Sequence, residues 1–234
     1  MLRSRFSAVL AAAAVAVGGT ALLAGPAQAA TPTIQISIDS KTTVVKAEYG
    51  SFLGGVGGQV DYVDDQGQTV EAYNGTAQLQ MLKPGGQWTV IATTDTPGYL
   101  YFGKAVYKAT RNAQYRVYYT GGTWTDVNGN TQGIDPGYSN VVTVKTFYKF
   151  AASGKCGSVC KVHGKISPSY KHKKITVLVR KTHHGAFKKL KVFKTDSRSR
   201  FKGLLPGNRK YSYKFKVKGT KNYTGVVAGP YSIL

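Results

Sequence analysis

Arg209-Lys210-Tyr211-Ser212-Tyr213-Lys214-Phe215-Lys216-Val217-Lys218 alternates along its whole length. Tyr211, Tyr213, Phe215 and Val217 share one parity, while Lys210, Ser212, Lys214, Lys216 and Lys218 share the other. Side chains alternate across a strand, whereas a helix of 3.6 residues per turn would scatter the lysines around its circumference. The spacing therefore predicts a strand with one apolar and one cationic face. Tyr115-Arg116-Val117-Tyr118-Tyr119 echoes it about a hundred residues earlier. Two copies of one sandwich are expected, the second loaded with lysine.

Charge divides the chain at one point. Residues 31–146 carry 8 Lys and Arg against 9 Asp and Glu; residues 147–234 carry 22 against 1. A single core has no need of a surface split in this way, so a boundary is expected. It is placed at 146/147, with a near-neutral domain at 30–146 and a strongly basic one at 147–234. A linker is expected near Phe147–Gly157, where Ala151-Ala152-Ser153-Gly154 breaks the strand pattern.

Residues 1–29 read as a signal peptide. Arg3 and Arg5 form a basic start, Ala8 to Leu23 is an apolar run, and Ala27-Gln28-Ala29 is a small-x-small cleavage pattern. A membrane anchor is the alternative, but the run is short and lacks a charged stop-transfer flank. No later stretch is apolar enough to span a bilayer. The expected protein is secreted, extracellular or held at a cell wall, with about 205 residues after cleavage. The only two cysteines, Cys156 and Cys160, then read as a small disulfide loop turned by Gly157-Ser158. Redox chemistry and zinc ligation are poor rivals, since one pair lacks four ligands.

Turn chemistry recurs throughout, as in Asp64-Asp65-Gln66-Gly67, Lys83-Pro84-Gly85-Gly86 and Thr96-Pro97-Gly98. Short alternating runs lie between, and none has helical periodicity. The expected fold class is all-β. The copies align at Gly85-Gly86-Gln87-Trp88 with His184-Gly185-Ala186-Phe187, Thr94-Asp95 with Thr195-Asp196, Tyr101 with Phe201, and Tyr115 with Tyr211. The first copy has insertions at Tyr62–Asn74 and Gly121–Gly137.

Val162-His163-Gly164-Lys165-Ile166-Ser167-Pro168, Lys174-Ile175-Thr176-Val177, Phe187-Lys188-Lys189-Leu190, Arg200-Phe201 and Tyr211-Ser212-Tyr213 resemble the repeat of secreted actinobacterial Ig-like domains. The resemblance spans most of residues 159–234. It implies an Ig-like or fibronectin-III-like sandwich used for display, spacing or adhesion, with no shared catalytic residues; the first half matches only at the repeat anchors, which extend the expectation to two such sandwiches in tandem.

The residues offer little for catalysis or metals. His163, His172, His183 and His184 are the only histidines, and Asp196 is the only acid in their half. A catalytic relay needs a carboxylate to orient the imidazole and a nucleophile within reach, so no enzyme activity, cofactor or metal is expected. Asp126-Val127-Asn128-Gly129-Asn130 spaces oxygen ligands as calcium loops do. Its glycine is misplaced, and Gly137 stands where a bidentate glutamate belongs. Exposed aromatics stacking on sugars are the lectin-like alternative, with Trp88 and Trp124 as candidates and Trp88 assigned to the core.

The lysines remain. Self-repulsion at this density opposes compaction, and a bound polyanion relieves it. The expected surface comprises Lys189, Lys191, Lys210, Lys214, Lys216 and Lys218, with Lys189 and Lys191 on one parity opposite Leu190 and Val192. Expected partners are teichoic acid or other phosphate polymers, acidic polysaccharide, anionic lipid headgroups and extracellular DNA. Lysine outnumbers arginine 18 to 4 in residues 147–234, which favours point-charge contact over sequence-specific nucleic-acid readout. The basic domain would then hold the near-neutral one outward; a purely structural spacer is the further alternative.

Overall fold

The computed structural model describes residues 29–95, 97–103, 105–125, 129, 131–182 and 184–232. The expected leader up to Gln28 lies outside these, as do His183 and all of the Asp126–Asn130 loop except Gly129. The described residues contain strands and turns and no helix. In the first half the strands are β1 (Thr33–Ile38), β2 (Val44–Glu48), β3 (Val56–Val63), β4 (Thr69–Glu71), β5 (Ala77–Leu82) and β6 (Trp88–Thr94). They continue as β7 (Leu100–Tyr101), β8 (Ala113–Tyr119), β9 (Gly122–Thr125), β10 (Thr131–Ile134), β11 (Gly137–Tyr138) and β12 (Val142–Phe147). The second half holds β13 (Lys149–Lys155), β14 (Val159–Ser167), β15 (Lys174–Arg180), β16 (Lys188–Lys194), β17 (Arg200–Pro206), β18 (Ser212–Val217) and β19 (Val226–Ser232).

Each half stacks two sheets. In the second, β13-β14-β17 opposes β16-β15-β18-β19; in the first, β3 with β1 and β7 opposes a sheet containing β12-β8-β5-β6. The order of these strands is thus the same in both halves, that of an Ig-like, fibronectin-III-like sandwich, and the first half adds β2 parallel to β12 and β11 beside β8. The ladders repeat in detail as well. A bulge interrupts β5–β6 between Leu79 and Gln80, and another interrupts β15–β16 between Val177 and Leu178. Carrying one register onto the other makes Trp88 equivalent to Phe187, as the sequence alignment has it. The same register makes Tyr115 equivalent to Tyr213, not to Tyr211. Likewise Leu100, fully buried opposite Gly58, matches Phe201 opposite Gly164. Tyr101 is one residue further and points outward, 60% exposed, because a slip of one residue exchanges the two faces of a strand.

The two halves carry separate buried clusters. The first runs from Ile34 to Val144, and the second begins at Tyr148. Only Tyr148 separates β12 from β13, so the stretch expected as a linker is mostly strand: Phe150 to Lys155 pair with Lys161 to Ile166. Small residues in Ala151-Ala152-Ser153-Gly154 hide the alternation without preventing the backbone ladder. Asn112 rivets the halves together. Its N–H donates to the Asn222 carbonyl (2.8 Å), and its Oδ1 accepts from Thr146 N–H (2.9 Å) and Thr224 Oγ1 (3.3 Å). Tyr223 packs beside Tyr49 and Tyr148 at the same junction.

The second core is a stack of phenylalanines. Phe150, Phe193, Phe201 and Phe215 lie with ring centroids 5.2 to 6.5 Å apart. Gly164 and Gly203 make room for them, since a Cβ at either position would run into the ring of Phe201 or Phe193 respectively. The Cys156–Cys160 disulfide closes the turn into β14, with its Cα atoms 3.9 Å apart. Strand β18 is shorter than the alternation suggests: Lys210 sits in a turn where its N–H donates to Asn208 Oδ1, and Lys218 follows the strand.

Tyr213 ties the β17–β18 corner by donating its hydroxyl to the Pro206 carbonyl at 2.6 Å. A tyrosine bonding back to backbone at this corner is a feature of Ig-like sandwiches. Burial first, then neighbouring Tyr211, pushes the hydroxyl up to about 12. Its proton is therefore held more tightly in the folded chain than in the unfolded one, where tyrosine ionises near ~10. The stabilisation is complete below that pH and is lost as the pH rises toward about 12. Tyr213→Phe is expected to cost about 1–2 kcal/mol at neutral pH. The variant should also show a shallower fall in melting temperature than the parent between pH 9 and 11.5 (roughly the window set by these ionisations).

Candidate polyanion-binding surface

The outer face of the four-stranded sheet is read from its ladders. Residues paired across neighbouring strands share a face, so Lys174 adjoins Lys194, while Val192, Thr176, Lys216 and Val227 form one row. The next row is Lys189, Leu178 and Lys214, and Arg180 lies beside Ser212. Phe187 anchors this end, with Lys214 Nζ 4.4 Å and Arg180 Cζ 5.0 Å from its ring centroid. Such contacts hold cations over an aromatic face without neutralising them. Trp88 is the counterpart in the first half: it is partly buried rather than in the core, and the Arg116 guanidinium stands 4.2 Å over its ring. An edge aromatic under a central-strand cation is thus common to both copies.

The expected cations are not all together. Lys189, Lys214 and Lys216 share this face. Lys191 does not: the bulge at Val177/Leu178 sets it opposite buried Val177, and its ammonium donates to the Leu204 carbonyl of the other sheet (2.9 Å). The same shift turns Val192 outward, 39% exposed, and leaves Leu190 packed on the core. Lys210 and Lys218 flank β18 as exposed residues outside the ladder. The pairing of parities read from β16 alone fails because a bulge changes which residues oppose their neighbours.

A second cationic face lies outside the expected residues. On the outer side of β13-β14-β17, Lys155 adjoins Lys161, while Ser153, His163 and Lys202 form one row and Ala151, Lys165 and Arg200 another. Short side chains on the edge strand beside long ones on β14 and β17 leave a groove of ≈ 980 Å³. His163, Lys165 and Lys202 flank it, and His172, Lys194 and Asp196 close one end. Ser153 Oγ and His163 Nε2, on two exposed residues that line it, are 2.9 Å apart. The signal was present in the sequence, since Lys161, His163 and Lys165 alternate as Lys214, Lys216 and Lys218 do.

Asp196, the only acid of this half, is fully engaged. Oδ1 accepts from the N–H groups of Arg198 and Arg200, both at 2.8 Å, and Oδ2 pairs with Arg200 Nε at 3.2 Å. The Arg200 N–H does most to lower its pKa; desolvation opposes it, and the Arg198 N–H and the Arg200 guanidinium lower it further. Among the described residues no three His, Cys, Asp or Glu side chains are placed to hold a metal ion. No protein-family model and no curated protein matches this chain.

A carboxylate with a lowered folded pKa stabilises above its unfolded value near ~3.9, and that contribution is lost as pH falls through the folded pKa. Asp196→Asn is therefore expected to remove part of the acid destabilisation seen in melting below pH 4 (about the unfolded value). It should also free Arg200 and strengthen retention on an anionic resin at pH 7.

Proposed function

We propose that this is a secreted, non-enzymatic adhesion or structural protein whose basic half binds anionic polymers of a cell envelope and displays the near-neutral half. The observation that carries the reading is the placement of cations on both outer faces of one sandwich, with the lone acid already paired. Packing alone gives no reason for such a distribution. Each face is broad and its lysines are exposed, so contacts are point-charge contacts to phosphate, sulfate or carboxylate rather than readout of a sequence. Binding then gains mainly from released counterions and depends on the charge density of the polymer more than on its identity. Teichoic acid, acidic polysaccharide, anionic headgroups and extracellular DNA all meet that description. The leader read in residues 1–29 and the Cys156–Cys160 disulfide support an extracellular setting.

The test is the salt dependence of retention by heparin and by polyglycerol phosphate. The parent chain should elute near ~0.5 M salt, where screening shortens to a few Å. Lys189, Lys214 and Lys216 changed together to Gln should lower the slope of log K against log salt, and so should Lys161, Lys165 and Lys202. All six sites are exposed or partly exposed, so both variants should melt like the parent. A slope unchanged in both variants would remove these faces from the mechanism.

A further inference from the structure

The two insertions that distinguish the first half converge on one groove. Strand β4 extends the β3 hairpin, and β9 with β10 forms a separate hairpin; neither has a counterpart in the second half. Between them lies a groove of ≈ 480 Å³. Its aromatic wall is Tyr62, Tyr73 and Trp124, and its polar rim includes Asp65, Gln66 and Asn74. Elements added to a sandwich and packed against each other are where a new binding site is most easily built.

The groove is held in shape before any ligand arrives. At the β3–β4 tip, Asp64 Oδ1 accepts from the N–H groups of Gln66 (3.0 Å) and Gln68 (2.7 Å). Across the groove, Asn74 Oδ1 accepts from Thr123 N–H (2.9 Å), and the Asn74 carbonyl accepts from Tyr119 Oη (2.8 Å). These bonds tie the segment after β4 to the end of β8 and the start of β9. Tyr62 and Trp124 lie 5.7 Å apart, and Trp124 Nε1 is buried without a protein hydrogen-bond partner. Tyr73, by contrast, is 78% exposed beside them.

The chemistry selects against the polymers that suit the basic half. Among the described residues no Lys or Arg lines this groove, and Asp64 and Asp65 give it a negative rim. What it offers is an exposed ring, a second aromatic surface, and carboxylate and amide groups able to pair with neighbouring hydroxyls. We infer that this groove binds an uncharged oligosaccharide, with a pyranose stacked on Tyr73 and its hydroxyls met by Asp65, Gln66 and Asn74. The inference stands independently of the polyanion reading. With both, the chain joins an anionic polymer to a neutral glycan.

The chain has two tryptophans, and Trp88 is placed under Arg116, away from this groove. Trp88→Phe in the full chain therefore leaves Trp124 as the sole indole reporter. Cello-, manno-, xylo- and chito-oligosaccharides are titrated at ~0.5 M salt, where polyanion contacts are screened. At least one series is expected to shift or quench Trp124 emission. Tyr73→Ala, at an exposed position that leaves folding intact, should weaken that series roughly three- to tenfold, the loss of one aromatic contact. Silence across all four series overturns the proposal. So does full affinity in Tyr73→Ala, or a response to a proline-rich peptide in place of the sugars.

Discussion

Mutual repulsion is the constraint under which the second half is built. Twenty-two cations and one carboxylate occupy 88 residues, so the apolar interior must oppose a surface that favours expansion. Alternation is what makes that possible. Every lysine of β18 lies on the opposite side from Tyr213, Phe215 and Val217, which keeps the charge of this strand out of the core. Gly164 and Gly203 let the stack close, because their missing side chains give ring faces direct contact with the sheet. The Tyr213–Pro206 bond and the Asp196 turn then secure two corners where the chain reverses.

The same framework serves two different chemistries. Matching bulges and matching strand order show that both halves solve the packing problem in one way, down to the aromatic under a cation at Trp88 and Phe187. What differs is the material outside the framework. The basic copy varies its outer faces by substitution along the strands, which leaves broad charged surfaces. The near-neutral copy adds β4 and β9–β10, which enclose a groove. Broad charged surfaces suit long flexible polyanions, while an enclosed aromatic groove suits a short uncharged segment.

Asn112 determines how these surfaces are presented. One amide side chain and one backbone N–H reach Thr146 in the first half and Lys221, Asn222 and Thr224, between β18 and β19, in the second. With a single residue between β12 and β13, the second half continues from the first without slack. The Lys149–Glu48 pair (3.7 Å) adds a weak, solvent-exposed contact across the same boundary. A ligand on one half therefore meets a partner half in a defined position rather than on a free tether.

The amino-acid sequence by itself determined what is local to a strand. The alternation of 209–218, the all-β class and the turn between Cys156 and Cys160 are legible because each depends on residues a few positions apart, and the charge division at residue 147 because composition is independent of which strands adjoin. It also located Trp88 and Phe187 as equivalent, since both follow a glycine turn. The tertiary structure decided everything that depends on which strands adjoin. Lys191 turns away from Lys189 because a bulge, a property of two paired strands, shifts the register between them. Phe150 to Lys155 became strand because a partner at Lys161 to Ile166 was available, whatever their own small side chains suggested. Leu100 rather than Tyr101 faces the core for the same reason. The convergence of the two insertions, separated by about fifty residues of chain, is a contact of high sequence separation that no local pattern encodes.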